Sequence, residues 1–439
     1  MTDTEEVVQP QAHCPVFVAQ SMADAVETLR SKTIVSSDIL FSGAYKEQSA
    51  EEMVEAQECL KEHIGGGLVW SRGREHSSRR KLLNQLVRPA ALDEFRDQVL
   101  VPEASRMMPR FVQGPDENGN YRLELVSFCD KVFIVFSAKM MGFVGLDTDE
   151  QVERLRECVF TLSTAATSAF FKDRAGINAD ARIAKKRYVE EFYNPSLAAA
   201  KAVLADIEAG NRPADSMPQN FMSWVASGAH PSYEDEHQAI LESTVLFGAT
   251  VATSTQSMVH AVNDLSAWFE DHPEDYARRT DHVFMLNALQ ESLRLWAPFT
   301  PFVTRMATED MTVGGEPLNK GQVVHVPIPK ANRDRAVWGA DSATFNPWRE
   351  VPDNVQRYGI AFGVGEHLCL GLRLVVGSDG TGGSHIRLLE KLFAVGVRPD
   401  PANPPQILAR PEDLDDYVEK IPRYITYPTI LADYKAPTT

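Results

Sequence analysis

The residues with the most distinctive chemistry lie in one short segment near the C-terminal end. Residues 362–371 read FGVGEHLCLG, with Cys369 three residues before a predicted helical run, LRLVV. Glycine lets a backbone turn tightly and approach a flat ligand closely. A thiolate near a helix N-terminus is stabilised by the N–H groups and the helix dipole. The segment therefore predicts a helix that begins near Cys369 and a thiolate that binds a metal.

This loop resembles the haem-binding signature Phe-Gly-x-Gly-x-His-x-Cys-x-Gly of cytochrome P450s, which runs from Phe362 to Gly371 and has Cys369 at its cysteine position. The resemblance implies a b-type haem whose iron is bound by Cys369, with Phe362 beside it. Thiolate ligation pushes electron density onto the iron and favours O–O cleavage. The implied protein is a haem-thiolate monooxygenase, an oxidoreductase that uses O2.

Glu291 and Arg294 form a Glu-x-x-Arg pattern on a helix predicted over about 280–296, and residues three apart share one helical face. The same spacing occurs in Glu27/Arg30, Glu103/Arg106 and Glu153/Arg156. The pattern alone therefore indicates only a surface ion pair. Its position upstream of Cys369 resembles the structural Glu-x-x-Arg pair of the P450 family. That pair binds a later arginine through bidentate hydrogen bonds, and the segment NPWR makes Arg349 the candidate.

Haem carries two propionates, and burying them requires cations or hydrogen-bond donors. The resemblance implies four residues for this role: His76 and Arg80 in REHSSRRKLL, Arg305 in PFVTR, and His367. His76 alone would be read as a surface histidine. Together with the cysteine loop, the propionate role is favoured.

A nearly all-apolar stretch predicts a buried helix over about 234–268. Where the family carries Ala/Gly-Gly-x-Asp/Glu-Thr, this chain reads ATVAT from Ala249 to Thr253. Thr253 is then the implied alcohol that hydrogen-bonds dioxygen, and Thr250 replaces the usual glycine. Ala252 replaces the usual acid, so ordered water held by hydroxyls of this helix would have to help deliver protons.

The missing acid leaves more than one function open. The leading hypothesis is a monooxygenase that hydroxylates or dealkylates a small apolar organic substrate. The alternative keeps the haem-thiolate but performs oxidative coupling, rearrangement or reduction, and Ala252 favours it. A haem protein that only binds or senses a ligand is disfavoured, because Thr253 and its apolar neighbours suit catalysis.

By family position, the loop before His76, the distal helix and the strand after Pro298 face the haem. These segments nominate as substrate contacts Leu68, Val69, Trp70, Phe247, Ala249, Phe299 and Phe302. Their side chains predict an apolar substrate of modest size, aromatic compounds included.

No flavin or iron–sulfur segment is visible, so electrons are expected from a separate ferredoxin-type protein. Residues 72–88 form a basic patch in an acidic chain, opposed only by Glu75. Its cations are Arg72, Arg74, Arg79, Arg80, Lys81 and Arg88, and Arg373 adds to them. A basic patch suits docking of an acidic ferredoxin.

The periodicity predicts a mainly α protein with small β-sheets, a P450 fold in a single large domain over 1–439. Long helices are expected at roughly 90–110, 122–145, 150–170, 180–208, 234–268 and 280–296. VFVAQ reads as a strand and the segment after Ser21 as a helix with that serine at its N-cap. The family's leading elements are expected to be shortened, and GSDGTGG at 377–383 is read as an insertion after the cysteine helix starts.

The composition sets the broad class. The chain has 439 residues, 44% of them hydrophobic and 24% charged, with a formal net charge of −17. Such a charge disfavours a general nucleic-acid binder. No long apolar run or signal pattern occurs, so no membrane association and a cytoplasmic location are expected. The five cysteines are scattered and predict neither a disulfide framework nor a zinc ribbon.

Overall fold

Helices form most of the chain and short strands form four small sheets. The computed structural model describes residues 15–36, 54, 58–166, 173–298, 302–377, 382–408 and 421–436. The mainly α class predicted from the sequence is confirmed.

The α-helices, numbered along the chain, are α1 Met22–Arg30, α2 Gly73–Leu83, α3 Pro89–Glu94, α4 Val101–Phe111, α5 Leu125–Met141, α6 Asp149–Ala166, α7 Arg174–Tyr188, α8 Asn194–Glu208, α9 Phe221–Ala226, α10 Glu236–Asp271, α11 His282–Trp296, α12 Ile328–Ala331, α13 Arg335–Trp338, α14 Leu372–Val376 and α15 Ser384–Ala394. Single π-helical turns at Leu60–Ile64, Phe95–Leu100 and Val189–Tyr193 accompany them.

The strands are β1 Phe17–Val18, β2 Ile34–Val35, β3 Tyr121–Glu124, β4 Val303–Ala307, β5 Met311–Val313, β6 Glu316–Leu318, β7 Val323–Val326, β8 Val397–Pro399, β9 Gln406–Ile407, β10 Tyr424–Thr426 and β11 Pro428–Leu431. The largest sheet has the order β1-β7-β4-β2, with β4 antiparallel to both β7 and β2. This sheet fixes Arg305, which lies opposite Val324.

Local signals account for several helix starts. The Ser21 hydroxyl accepts the Asp24 N–H and the Asp24 carboxylate accepts the Ser21 N–H, so a capping box begins α1. Asp235 and Asp281 cap α10 and α11 in the same manner, by accepting backbone N–H groups. The predicted N-cap at Ser21 is therefore confirmed.

Helix α10 is the longest element and lies at the centre of the molecule, packed on α5, α6 and α11. Its buried side chains join those of α5 in one large hydrophobic core. Because α10 contacts so many neighbours, the few positions in its middle where side chains are exposed indicate where the helix borders the candidate site. Within the ranges given above, no helix is both long and apolar enough to cross a bilayer.

Several predicted boundaries were wrong. The stretch 122–145 is divided into β3 and α5, since Glu124 caps the helix with its own carboxylate. The long pattern at 180–208 begins earlier, at Arg174, and a π-helical turn interrupts it. The helix after the cysteine begins at Leu372 and is only five residues long.

Candidate functional site

The cysteine loop is a tight turn held by its own backbone. The Cys369 N–H donates to the Phe362 carbonyl at 2.8 Å, which closes the loop 362–371. Gly365 has φ +78°, and a Cβ there would overlap the Leu29 carbonyl at the end of α1. A side chain at this position would push the loop away from α1. The Phe362 ring packs edge-on against Tyr358, with centroids 5.2 Å apart.

The Cys369 thiol is accessible although it lies deep among protein atoms, as expected of a side chain that opens onto an internal space. The other described cysteines are buried. Burial raises the pKa of Cys369, whereas the N–H groups of Gly371 and Leu372 and the nearby Arg80 cation lower it. Burial outweighs these donors, so the pKa of Cys369 lies above its ordinary value. A metal cation bound to the sulfur would add the stabilisation that the thiolate needs.

Four cationic or imidazole groups come together beside this loop. The ring centroids of His76 and His367 are 4.5 Å apart. Burial, with smaller contributions from the charges of Arg305, His76 and Arg80, lowers the pKa of His367 to about 3. The structure thus brings together all four residues that the sequence nominated for propionates.

Arg305 is the clearest sign that an anion is missing from this group. Its side chain is 8% exposed, and it donates only to the neighbouring Thr304 carbonyl, at 2.9 Å. No described carboxylate lies within ion-pair distance of it. Burial lowers the pKa of Arg305 to about 10, because the charged form has no opposite charge to offset its desolvation.

Glu366 is a neighbour that the sequence reasoning missed. Its half-exposed carboxylate lies 3.1 Å from Nδ1 of the buried His76. Burial lowers the pKa of His76 and Glu366 raises it. The sequence Gly-Glu-His in the loop offered no signal for this contact, since the contact depends on how α2 meets the loop.

The Glu-x-x-Arg pair is fully buried. Arg294 donates to both oxygens of Glu291, at 2.8 and 2.7 Å, and also to the carbonyls of Asn332 and Ser342. Arg349 donates to Glu291 at 2.8 Å and forms a second ion pair with Asp341. One carboxylate therefore joins α11 to the long loop that leads to Cys369.

Helix α10 has one open stripe among its buried faces. Ala249 is exposed in the middle of the helix, and Val245 and Thr253, four residues on either side, are half-buried. The Thr253 hydroxyl donates to the Ala249 carbonyl at 2.6 Å, and the Thr250 hydroxyl donates to the Leu246 carbonyl at 2.8 Å. Residues four apart share a helical face, so this stripe could have been found from the period alone.

Two of the predicted substrate contacts, Phe247 and Phe302, lie away from the open stripe of α10 and from Arg305, and one lies outside the described residues. Phe247 lies on the opposite side of α10 from Ala249, because two residues turn a helix by about 200°. It is fully buried, with its ring 5.0 Å from that of Phe143. Phe302 stacks on His325, which pairs with Thr304, so it lies on the sheet face opposite Arg305. Phe299 lies outside the described residues.

The loop before α2 supplies the remaining predicted contacts. Leu68 is buried, Trp70 is half-buried and Val69 is 37% exposed. With Ala249, these three residues remain as nominated substrate contacts. Val245 and Leu246 are additions that the sequence reasoning missed.

The structure also changes which residues belong to the basic patch. Arg79 was expected on the surface, yet it is fully buried in an ion pair with Glu242 of α10. Arg80 is half-buried and lies close enough to Cys369 for the two charges to interact. Arg74, Lys81 and Arg373 remain exposed.

Comparison with known proteins agrees with this arrangement. The family model "Cytochrome P450" matches residues 254–375. A bifunctional cytochrome P450/NADPH–P450 reductase of Bacillus subtilis (strain 168) is 32% identical over 127 residues, which are 28% of this chain and 12% of that relative. Cytochrome P450 709B3 of Arabidopsis thaliana is 46% identical over 61 residues, 14% of this chain and 12% of the relative. The matched segments thus span about an eighth of the length of these relatives.

The likeness of fold extends over nearly the whole chain. The crystal structure of CalO2 has a TM-score of 0.68 and 15% identity, covering 97% of this chain and 93% of that one. The structure of HmtT, involved in himastatin biosynthesis, has a TM-score of 0.67 and 17% identity, covering 97% and 94%.

The cysteine loop, the buried Glu-x-x-Arg network and these matches define a haem-thiolate fold. The chain has the fold of the cytochrome P450 structures that it matches, and its residues 254–375 match the cytochrome P450 family model. Proteins of this family bind haem. The residues present fit that group, because an open thiol, unpaired buried cations and an open helical stripe of small residues are what a haem with two propionates requires.

Proposed function

We propose that the chain is a haem-thiolate monooxygenase that hydroxylates or dealkylates a small apolar substrate, acting as one P450 domain in the cytoplasm. The observation that carries the proposal is the accessible Cys369 thiol, enclosed by protein and flanked by Arg80 and two backbone N–H groups. When bound, the thiolate-ligated haem supplies the redox chemistry that activates O2.

His76, Arg80, Arg305 and His367 hold the propionates in this proposal, and Phe362 lies beside the ring. Arg305 supports this assignment most strongly, because it is buried without a counter-charge. A charge-assisted hydrogen bond from such a group is roughly twice as strong as a neutral one. Glu291, Arg294 and Arg349 keep the loop that carries Cys369 in place.

Thr253 is our choice for the alcohol that delivers protons. It shares the open stripe of α10 with Ala249, whereas Thr250 is turned about 100° away from Ala249. Each hydroxyl donates to its own helix and keeps lone pairs with which to accept from water. Thr253 can therefore pass on a proton taken from ordered water, with Thr250 holding a water beside it.

The substrate site is apolar. Leu68, Val69, Trp70 and Ala249 are retained as contacts, and Val245 and Leu246 extend the same stripe of α10. Such a lining favours a small apolar substrate, aromatic compounds included.

Electrons reach the haem from a separate ferredoxin-type protein in this proposal. The exposed cations Arg74, Lys81 and Arg373, with half-buried Arg72 and Arg88, form the docking patch. Arg79 and Arg80 are removed from it because both are turned inward.

The function is tested by substituting cysteines one at a time. Cys369→Ala abolishes the red-shifted Soret band of the reduced, CO-bound protein, because no thiolate then binds the iron. Cys158→Ala is the matched control, since that thiol is buried on α6 and burial raises its pKa to about 11. Loss of the band in the control, or its survival in Cys369→Ala, would contradict the proposal.

A second function is favoured by one observation. Ala252 stands where the family has an acid. Among the described residues of α10, no carboxylate lies next to Ala249 on the open stripe. Glu242, two turns earlier on the same side of the helix, is paired with Arg79. Rearrangement, or reduction of a substrate other than O2, requires no protons delivered to O2, whereas oxidative coupling driven by O2 would take them from ordered water. Product analysis with an electron-donor system distinguishes the two, because only the monooxygenase yields products that contain oxygen from labelled O2.

A further inference from the structure

A buried ion pair joins the helix that carries His76 to the centre of the molecule. Arg79 of α2 and Glu242 of α10 are 0% and 1% exposed, and their side chains are in direct contact. Tyr233 covers the guanidinium, whose centre is 5.8 Å from the ring centroid. The pair lies outside the haem-binding set described above.

The pair also holds the backbone of the loop before α2. Arg79 donates from Nη1 to the Gly66 carbonyl at 2.6 Å. The nearby Leu68 N–H lowers the pKa of Glu242, against the rise caused by burial. Gln238, one turn before Glu242 on α10, donates to the same Gly66 carbonyl at 2.9 Å. One carbonyl of the loop is thus held by a fixed charge and by an amide of α10.

The loop has little freedom to move at this point. Gly66 has φ +79°, and a Cβ there would overlap the Gln238 side chain. A side chain at position 66 would therefore displace the Gln238 amide from its hydrogen bond to the Gly66 carbonyl. The close approach requires glycine for both conformation and space.

The clamp lies on the stripe of α10 that is open at Ala249. Glu242 precedes Ala249 by seven residues, or two helical turns, so both face the same way about 10 Å apart along the helix. The residues that follow the clamped backbone, Val69 and Trp70, are those nominated as substrate contacts. The clamp therefore fixes their distance from the open stripe.

The charges have a use that an apolar pair could not fulfil. Replacing a buried ion pair with well-packed apolar residues is often neutral or stabilising, so such a pair is weak evidence for a stability role. An apolar pair would remove the Arg79 donor and leave the Gly66 carbonyl with Gln238 alone. Loss of that charge-assisted hydrogen bond would weaken the attachment of the loop to α2.

We propose that Arg79 and Glu242 are positioning residues that hold the loop 66–70 as a wall of the substrate site and so set which ligands fit above the haem. This inference rests on the proposed function, since it assumes haem between the Cys369 loop and α10. It predicts that breaking the clamp changes the affinity for bulky ligands while haem binding stays intact.

The test compares two ligands of different size in the haem-loaded protein. Arg79→Met/Glu242→Leu is the test variant, and Arg154→Met/Glu150→Leu makes the same changes in an exposed ion pair of α6. Affinities for imidazole and for phenylimidazole are measured from the Soret shift. We expect phenylimidazole affinity to change about tenfold more than imidazole affinity in the test variant, and the two to change together in the control.

The outcomes are distinguishable. Equal changes for both ligands, or no change, would show that the pair only stabilises the fold and would overturn the inference. Glu242→Gln serves as a second variant should the double substitution fail to fold, and the same ratio is expected in the same direction. Absence of the CO-bound Soret band or of any ligand shift in the unaltered protein would instead overturn the proposed function.

Discussion

Arg305 is the residue of the site whose burial is energetically unfavourable. It is a buried cation with no carboxylate partner among the described residues, which is unfavourable until an anion binds. We expect Arg305→Met to leave the haem-free protein at least as stable as before, because it removes a desolvated charge. The same change should weaken haem binding by about 10- to 100-fold, since charge-assisted hydrogen bonds contribute about 1.5–3 kcal/mol.

Haem transfer to apomyoglobin measures the affinity, and urea unfolding of the haem-free protein measures stability. Arg398→Met, an exposed arginine of β8, is the control and should change neither value appreciably. A variant that loses stability without haem, yet retains haem normally, would show that Arg305 is paired within the protein.

His385 makes the stability depend on pH. It is fully buried on α15 against Phe133, and burial lowers its pKa from 6.5 to about 3. Below pH 6.5 the unfolded chain binds a proton that the folded chain does not, so the free energy of unfolding falls as pH falls. The loss amounts to about 1.4 kcal/mol per pH unit from this residue and continues down to about pH 3.

His385→Phe should therefore gain stability over the unaltered protein as the solution is acidified. Urea unfolding at about pH 7.5 and about pH 5 gives the two differences, and we expect the second to exceed the first by about 2 kcal/mol. A difference that is the same at both pH values would mean that His385 is already protonated, or has access to water, in the folded protein.

Single residues were predictable from the sequence where a motif fixed them, and not where packing decided. Cys369, His76 and Arg305 lie where their patterns suggested, since each follows from a short segment with one local conformation. Arg79 and Arg80 are adjacent and chemically identical, yet one pairs with Glu242 and the other lies near Cys369. Adjacent residues of α2 point about 100° apart. Which of the two arginines faces α10 depends on how the two helices pack, and no short-range pattern encodes that packing.

At the level of elements, burial distinguishes Glu-x-x-Arg pairs that look alike in sequence. Glu291 has two arginine partners and no exposure, whereas Glu153 has Arg156 and Lys131 as partners and is 32% exposed. We expect Glu291→Gln to lower the free energy of unfolding by about 3–5 kcal/mol, because it leaves buried Arg294 without a carboxylate and Arg349 with Asp341 alone. The matched change Glu153→Gln should have an effect of at most about 1 kcal/mol.

Urea unfolding of the two variants, with the unaltered protein as reference, gives both values. Effects of similar size would mean that α11 and the loop after it are held by packing and not by the Glu291 network. The CO-bound Soret band of Glu291→Gln should weaken as well, since this network links α11 to the segment that carries Cys369.

Element boundaries were predictable where a capping side chain marks them. Ser21 and Asp281 satisfy the first N–H groups of their helices, and these starts fall within two residues of the prediction. The helix was expected to begin near Cys369 but begins at Leu372. The residues between them form a turn, and the N–H groups of Gly371 and Leu372 lower the pKa of the Cys369 thiol. The apolar period continues through that turn, so hydrophobicity alone could not reveal it.

On the scale of the whole molecule, charge is distributed unevenly. The chain has a net charge of −17, yet Arg74 and Lys81 are exposed on the helix that carries His76, and Arg373 is exposed on α14. A patch of opposite sign to the rest of the surface orients a charged partner during approach. With Arg79 buried, the orientation must come from fewer cations than the sequence indicated.

The reduction rate tests this surface as the docking site for an acidic ferredoxin. Arg74→Glu/Lys81→Glu should slow reduction by the ferredoxin on the order of tenfold at low salt, because steering depends on the local field. The effect should fade as salt rises, since exposed charges are screened over about 10 Å at 0.1 M. Arg212→Glu, an exposed reversal outside residues 72–88, is the control and should leave the rate nearly unchanged. The CO-bound spectrum should be intact in all variants, so that a slower rate reports docking and not haem loss. Equal reduction rates in the double variant and the control at every salt concentration would exclude this surface as the docking site.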